Sequence, residues 1–329
     1  MTTLVTGATG FLGGAVVRAL AGRGERVRAF CRRATPELAA LGVELALGDI
    51  RDAAAVAAAC QGCELVYHTA AVAGIWGPWK LFYETNTLGT QHVLAGCRAA
   101  GVERLVFTSS PSVTFDGRPQ QNIDESAPYA TTWLCHYPHT KALAERAVLE
   151  ANGGAGLLTC ALRPHLIWGP GDRQLIPRVI ARARAGRLRR VGDGTNLIDT
   201  IYIDNAVDAH LAAAAALRPG SPLCGQAYFL SQGEPVNCWG WIDELLAQAG
   251  LPPVDKSISL RAAWRVGHAL ELAYGALRLK GEPPMTRFLA AQLGLPHWFD
   301  IGRARRDFGY EARVSMREGM ERLASDGRA

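Results

Sequence analysis

The stretch TTLVTGATGFLGG, Thr2 to Gly14, decides the fold. Its first five residues are an apolar, β-rich run, and helical spacing of apolar residues begins at Phe11 and continues to Ala21. Glycines 7, 10 and 13 stand at the junction. Gly7 permits a tight turn, Gly10 lets backbone approach a pyrophosphate, and Gly13 lets helix and strand pack closely. The N–H groups and positive dipole of the helix N-terminus complete an anion site. The spacing of three and three differs from GxGxxG, and an ordinary βα turn is the alternative reading. Thr9, Phe11 and Leu12 are further candidates for contact with a cofactor.

Outward from this turn, β-rich runs recur at Arg26 to Phe30, Val43 to Leu47, Glu64 to His68, Arg104 to Thr108 and Leu157 to Leu162. Helix-like stretches separate them at Ala53 to Cys60, Thr85 to Ala100 and Pro138 to Ala151. Strand and helix alternating in this way predict an α/β fold, a doubly wound parallel sheet with helices on both faces. The rhythm breaks after Pro164, with the turn WGPGD (Trp168 to Asp172) and a basic helix-like segment from Arg173 to Arg190. It returns in IYIDNAVDAHLAAAAAL. The expected organisation is a dinucleotide-binding domain over 1–164, to which the chain returns at about 201–230. A smaller, mostly helical substrate cap is expected from 165–200 and 231–329.

The chain has 329 residues, 49% of them hydrophobic and 20% charged, with 35 basic against 30 acidic residues. Such a composition excludes disorder, collagen and coiled coil, and a charge of +5 does not point to nucleic acid. Only Lys80, Lys141, Lys256 and Lys280 among the basic residues are lysine. The most apolar long segment, Ser259 to Leu279, carries Arg261, Arg265, His268, Glu271 and Arg278, so no transmembrane helix is expected. No leader-like region precedes the Thr2 run, and the expectation is a cytoplasmic protein. Eight dispersed cysteines fit a reducing compartment. Cys60 and Cys63 form CxxC without a second pair at zinc spacing, and no metal is expected.

At the end of the second β run, where a carboxylate would hold the ribose hydroxyls of NAD, stand Cys31, Arg32 and Arg33. An arginine fork matches a phosphate, so NADP(H) is the preferred cofactor, with NAD(H) also admissible. Solvated loop charges are the alternative. Asp49 and Ile50 end the third run, suited to the adenine amino group and ring, although Asp49 or Asp52 capping the next helix fits equally. In HYPHTKALAE, Tyr137 and Lys141 lie four apart on one face of a helix that Pro138 would start. An ammonium beside the phenol would lower its pKa toward usefulness as an acid-base group. Ser110 ends the fifth run, at the carboxyl edge where such folds bind ligands.

The glycine triplet, Asp49-Ile50, HTAA (His68 to Ala71), Asn86 in ETNTLGT, Ser110, Tyr137, Lys141 and LRPHLIWGPGD together resemble the extended short-chain dehydrogenases/reductases. The match covers nearly the whole chain. The resemblance implies that Tyr137 is the general acid or base, that Lys141 also holds the nicotinamide ribose, and that Ser110 hydrogen-bonds the reacting oxygen. It also implies that Asn86 orders the active-site helix. Thr69, Ala70 and Ala71 would border the cofactor, and Pro164 to Ile167 would face the carboxamide.

Nucleotide-sugar members of this group usually carry an arginine where NLIDTIYIDN has Ile198, so a sugar nucleotide is not expected. Trp76, Trp79, Phe82 and Tyr83, with Trp133 and Trp168, instead suit an apolar substrate, packing between domains or at a dimer contact being the alternative. YPHTK, ALRPHLIWGPGD and YFLSQGEPVNCWGWIDELL are similar to the 3β-hydroxysteroid dehydrogenase branch. WGPWKLFYETNTLGT and SSPSVTFDGRPQQNIDES are closer still to bacterial 2-alkyl-3-oxoalkanoate reductases of long-chain olefin biosynthesis. That likeness implies NADPH-dependent reduction of an apolar keto acid to a hydroxy acid, a homodimer, and a place for it in an assembly with pathway enzymes. His136, His139, His165 and the arginines from Arg173 to Arg190 are candidate partners of the substrate carboxylate, with structural roles and a solvated helix face as alternatives. An NAD-dependent 3β-hydroxysteroid or sterol-4-carboxylate dehydrogenase and a non-catalytic dinucleotide sensor are the competing readings.

Overall fold

Both faces of a parallel sheet are covered by its crossover helices, which is why its strands read as unbroken apolar runs. The computed structural model describes residues 2–326. In chain order the principal elements are β1 (Thr2–Thr6), α1 (Phe11–Gly22), β2 (Arg26–Cys31), β3 (Glu44–Leu47), α2 (Ala53–Cys60), β4 (Leu65–His68), α3 (Gly89–Ala100), β5 (Arg104–Thr108), α4 (His136–Glu150), β6 (Leu158–Pro164), α5 (Ile203–Ala216) and β7 (Gln226–Leu230). The seven strands form one parallel sheet in the order β7-β6-β5-β4-β1-β2-β3. The order reverses at β1, whose neighbours are β4 and β2, and the crevice for a ligand lies beyond the carboxyl ends there.

Alternate residues of each strand serve opposite cores. Leu4, Val66, Leu105 and Phe107 join α2, α3 and α4 on one face. Val5, Tyr67 and Val106 face α1 and α5 on the other, in a cluster that runs on to Trp239 and Trp241. The sheet and the C-terminal helices therefore share a continuous apolar interior.

Beyond the sheet lie helices Leu175–Arg184, Cys238–Gln248, Leu260–Ala276, Arg287–Gly294 and Met316–Ser325. A second sheet of four short strands runs in the order Val236–Asn237, Leu197–Ile198, His297–Phe299, Gln120–Ile123. Its last strand belongs to the connection after β5, so the N-terminal half of the chain contributes to the C-terminal layer.

The structure departs from the sequence expectations at four places. α4 starts at His136, not Pro138; proline is tolerated in a first turn because those N–H groups have no acceptor within the helix. A π-helical stretch, Tyr83–Leu88, precedes α3. The basic segment is not one helix face: the helix ends at Arg184, Arg178 and Arg182 reach Glu282 at 3.1 and 3.7 Å, and Arg190 pairs with Asp243. Trp168 is fully buried, with its indole N–H donated to Thr200, and lines no substrate wall.

Candidate active site

The glycine turn is shaped by contact as much as by flexibility. Gly7 has φ 70°, and a Cβ there would lie 2.8 Å from Ala70 Cα. A Cβ at Gly13 would lie 2.4 Å from the Gly7 carbonyl oxygen and 2.5 Å from Thr69 Oγ1. Thr69 is locked by donating to Thr6 O at 2.7 Å, so its hydroxyl braces β1 against β4. Gly10 caps α1 without a side chain, and the first turn carries no acidic residue. Its leading N–H groups therefore have no internal anion, which fits a bound diphosphate. Thr9 and Gly10 are exposed, Phe11 is half-buried, and Leu12 faces the core.

Arg32 and Arg33 are exposed just past β2. Asp52, not Asp49, caps α2, accepting from Ala54 and Ala55 N–H at 2.9 and 3.1 Å. Asp49 is gripped by the Arg51 guanidinium at 3.0 and 2.8 Å, and this pairing holds its carboxyl down at about 2. Ile50 is buried where α3 crosses at Gly89. An adenine amino group would share Asp49 with Arg51.

At the end of β4, His68 is fully buried. Thr90 donates its hydroxyl to Asn86 O at 2.6 Å and so accepts from His68 Nε2 at 2.9 Å; Nδ1 then accepts from Thr6 at 2.7 Å. Burial pushes this imidazole down to about 3, and it stays neutral. Asn86 holds the next loop from both sides, accepting from Val72 N–H at 2.8 Å and donating to Val72 O at 3.1 Å. Its amide also donates to Thr140 Oγ1 at 3.1 Å, and Thr87 donates to Thr140 O at 3.0 Å. The π-helical turn presents Asn86 to α4, and the residue couples the cofactor-side loop to the helix bearing Tyr137 and Lys141.

Ser110 caps a short 3-10 turn, Pro111–Thr114, and its hydroxyl lies 2.8 Å from Ser112 Oγ. Tyr137 is half-buried. Burial pushes its phenol up to about 12 against the opposing pull of a hydrogen bond with Ser110. The expected lowering by Lys141 is not found. Lys141 Nζ instead donates to Thr108 O at 2.6 Å and lies 3.9 Å from the Phe107 ring centroid. Burial pushes that ammonium itself down to about 7, with the Glu145 carboxylate raising it. Thr108 is held in turn by its hydroxyl, which donates to His210 Nε2 at 2.8 Å while His210 Nδ1 donates to Ala206 O at 2.7 Å.

One turn beyond Lys141, Glu145 is fully buried against Arg163, which grips it at 2.6 and 3.0 Å, and Tyr129 donates to it at 2.7 Å. This pair ties α4 to β6 just before Pro164. Neither Glu145 nor Arg163 stood out in the sequence, though Glu145 lies four residues after Lys141 on the same face.

The substrate candidates separate. Trp79 stacks on Tyr83 with centroids 5.4 Å apart and meets His139 at 4.9 Å; Trp133 stacks on His139 at 5.1 Å. Trp76 meets Tyr274 edge-on at 6.3 Å, joining the loop after β4 to the Leu260–Ala276 helix. His165 is buried and paired with His297 at 2.7 Å. His297 Nε2 donates to Gln292 O at 2.8 Å, so His165 Nε2 must donate to His297 Nδ1. Both are pushed down by burial, and a neutral His165 offers a carboxylate no charge. Pro164 is buried and Ile167 half-buried beside it. Among the described residues no group of three His, Cys, Asp or Glu side chains is placed to hold a metal.

A turn fit for a diphosphate and a serine-tyrosine-lysine set at the same sheet edge agree with the profile that the sequence matches: residues 4–261 match the 3-beta hydroxysteroid dehydrogenase/isomerase family. The chain belongs to this family. Members are NAD(P)-dependent oxidoreductases of the short-chain dehydrogenase/reductase type, and so is this chain. It is similar to the 2-alkyl-3-oxoalkanoate reductase of Stenotrophomonas maltophilia, with 50% identity over the full length of both chains. A reductase of the same name from Shewanella oneidensis is 48% identical over 97% of this chain and 84% of its own. Among solved structures, MoeE5 in complex with UDP-glucose and NAD superposes with a TM-score of 0.75 at 26% identity, covering 100% of this chain and 99% of that one. Among the described residues no helix is long and apolar enough to cross a membrane.

Proposed function

We propose that this family member reduces the 3-ketone of a long-chain 2-alkyl-3-oxoalkanoate to the 2-alkyl-3-hydroxyalkanoate, with NADPH preferred, in olefin biosynthesis. The 50% identity with a reductase of that name over the full length of both chains carries the reading. The α1 turn would hold the diphosphate of a nicotinamide dinucleotide, which when bound would supply the hydride. Ser110 hydrogen-bonds the ketone oxygen and stabilises the charge that develops there. Tyr137, whose phenol keeps its proton at neutral pH, gives that proton to the new alkoxide. Lys141 would hold the ribose of the bound dinucleotide, while Asn86 and the Glu145–Arg163 pair keep α4 in register.

The reading includes a cofactor unit of 1–164 completed by 201–230, a substrate cap of 165–200 and 231–329, a homodimer, and a cytoplasmic location shared with pathway enzymes. Arg32 and Arg33 support NADPH, since two guanidinium groups past β2 match a 2′-phosphate. Fluorescence titration checks this. Replacing both arginines by serine should weaken NADPH binding about 100-fold, as expected for losing two charge-assisted contacts, and leave NADH within about threefold. Equal losses for both cofactors, or tighter NADH binding by the native protein, would contradict the preference. The family match also favours a second reading, an NAD-dependent 3β-hydroxysteroid or sterol-4-carboxylate dehydrogenase. That enzyme would oxidise a 3β-hydroxysteroid with NAD and ignore the keto acid. A dinucleotide sensor has no use for the intact Ser110, Tyr137 and Lys141.

A further inference from the structure

We propose that the groove between the Cys238–Gln248 and Met316–Ser325 helices is a second small-molecule site. It fits an elongated neutral molecule, apolar along its middle, with a hydrogen-bond acceptor near one end and a donor near the other. The groove encloses about 650 Å³, within the size range of small-molecule sites. None of its lining residues belongs to the set around Ser110, Tyr137 and Lys141, so the proposal does not rest on the keto-acid assignment. Val236, Trp241, Met316, Met320 and Ala324 make its walls apolar, and the two thioethers can adapt to the shape of a ligand.

Two polar atoms select the occupant. Trp241 is 4% exposed, and among the described residues its indole N–H has no acceptor. Gln248 donates its amide N–H to Met320 O at 2.9 Å, which fixes the orientation of the amide, and its buried Oε1 has no donor. Buried polar atoms of native proteins are nearly always hydrogen-bonded, and these two residues line the same groove. Asn237, the other neutral polar side chain there, is occupied: it accepts from Gly240 N–H and donates to Gly194 O, both at 2.8 Å. Seven residues of helix put Trp241 and Gln248 on one face about 10 Å apart along the axis. One small polar group therefore does not serve both, and the ligand needs an acceptor for the indole and a donor for the amide oxygen. The ionised lining groups stand at the rim. Glu244 is exposed, and Arg317 and Glu321 are paired with each other at 3.0 Å in solvent. A charged ligand would thus find no partner along the apolar walls.

Calorimetric titration of the full chain with 1,8-octanediol, 1-octanol and octanedioate tests it. The diol should saturate a single site and bind at least about fivefold tighter than 1-octanol, because its two hydroxyls reach both polar atoms. Octanedioate should bind at least about tenfold more weakly than the diol, since its charges would be desolvated without a partner. Trp241→Phe should cut diol binding at least about fivefold. Ala324→Trp, which changes an exposed lining residue and fills the groove, should abolish diol binding while keeping native Tm and dinucleotide Kd. Native protein that binds no diol, binds it no tighter than 1-octanol, or binds octanedioate equally well would overturn the proposal. So would diol binding that survives Ala324→Trp, because the diol would then sit elsewhere.

Discussion

Tyr137→Phe should lower kcat for ketone reduction by about 10³-fold or more while leaving the dinucleotide Kd within about twofold of native. General acid catalysis by a positioned side chain contributes roughly 10²–10⁴-fold, and phenylalanine keeps the ring and its packing while removing the transferable proton. The phenol sits with Ser110 at the carboxyl edge of β5, and its pKa near 12 means that it holds its proton throughout the neutral range. Stopped-flow reduction and a fluorescence titration on the same preparation separate chemistry from binding. Unchanged turnover would remove Tyr137 from the mechanism.

Lys141→Met carries the second large effect, an expected loss of about 10²–10³-fold in kcat/KM combined with a Tm no lower than native. The two readouts move apart because Lys141 is 2% exposed and its ammonium is pushed down to about 7. An unfolded lysine titrates near 10.4. Between about pH 7 and pH 10 the unfolded chain thus binds a proton that the folded chain does not. For this group, stability must rise with pH across that window, so its burial is a cost at neutral pH. Methionine fills the same space without that cost, although Thr108 O loses a donor. In the native protein, kcat/KM for reduction should fall as pH rises through about 7 and the ammonium is lost. A purely structural lysine would show the opposite pattern, with lower Tm and an unchanged pH profile.

The parts of this molecule that were legible in its sequence share a physical origin. Parallel strands buried on both faces must be apolar throughout, so β1, β4 and β5 stood out as short runs. The glycine turn stood out because Gly7 and Gly13 have no room for a Cβ. Spacing placed Tyr137 and Lys141 on one helix face, but it did not say where the lysine points, and Lys141 turns to the Thr108 carbonyl and the Phe107 ring. Partners far apart in the chain left no local mark. His297 meets His165 across 132 residues, and Arg163 meets Glu145 within a buried pair that has no periodicity to betray it. The strand Gln120–Ile123 is too short for a hydrophobic pattern and is defined by His297–Phe299 beside it. Trp168 misled because an aromatic ring after the sheet edge reads as a wall, whereas its indole is shut in the core against Tyr202.

The proposed reaction is hydride exchange at C3 of a 2-alkyl-3-oxo acid. It is tested most directly in the reverse direction, which avoids the labile keto acid as starting material. A 2-alkyl-3-hydroxy acid carrying deuterium at C3 is incubated with the native protein and NADP, and the reduced cofactor is analysed by mass spectrometry. Deuterated NADPH, formed faster than deuterated NADH in a parallel reaction with NAD and absent with Tyr137→Phe, is the expected result. No label in either cofactor, alongside NAD-dependent oxidation of a 3β-hydroxysteroid, would contradict the account.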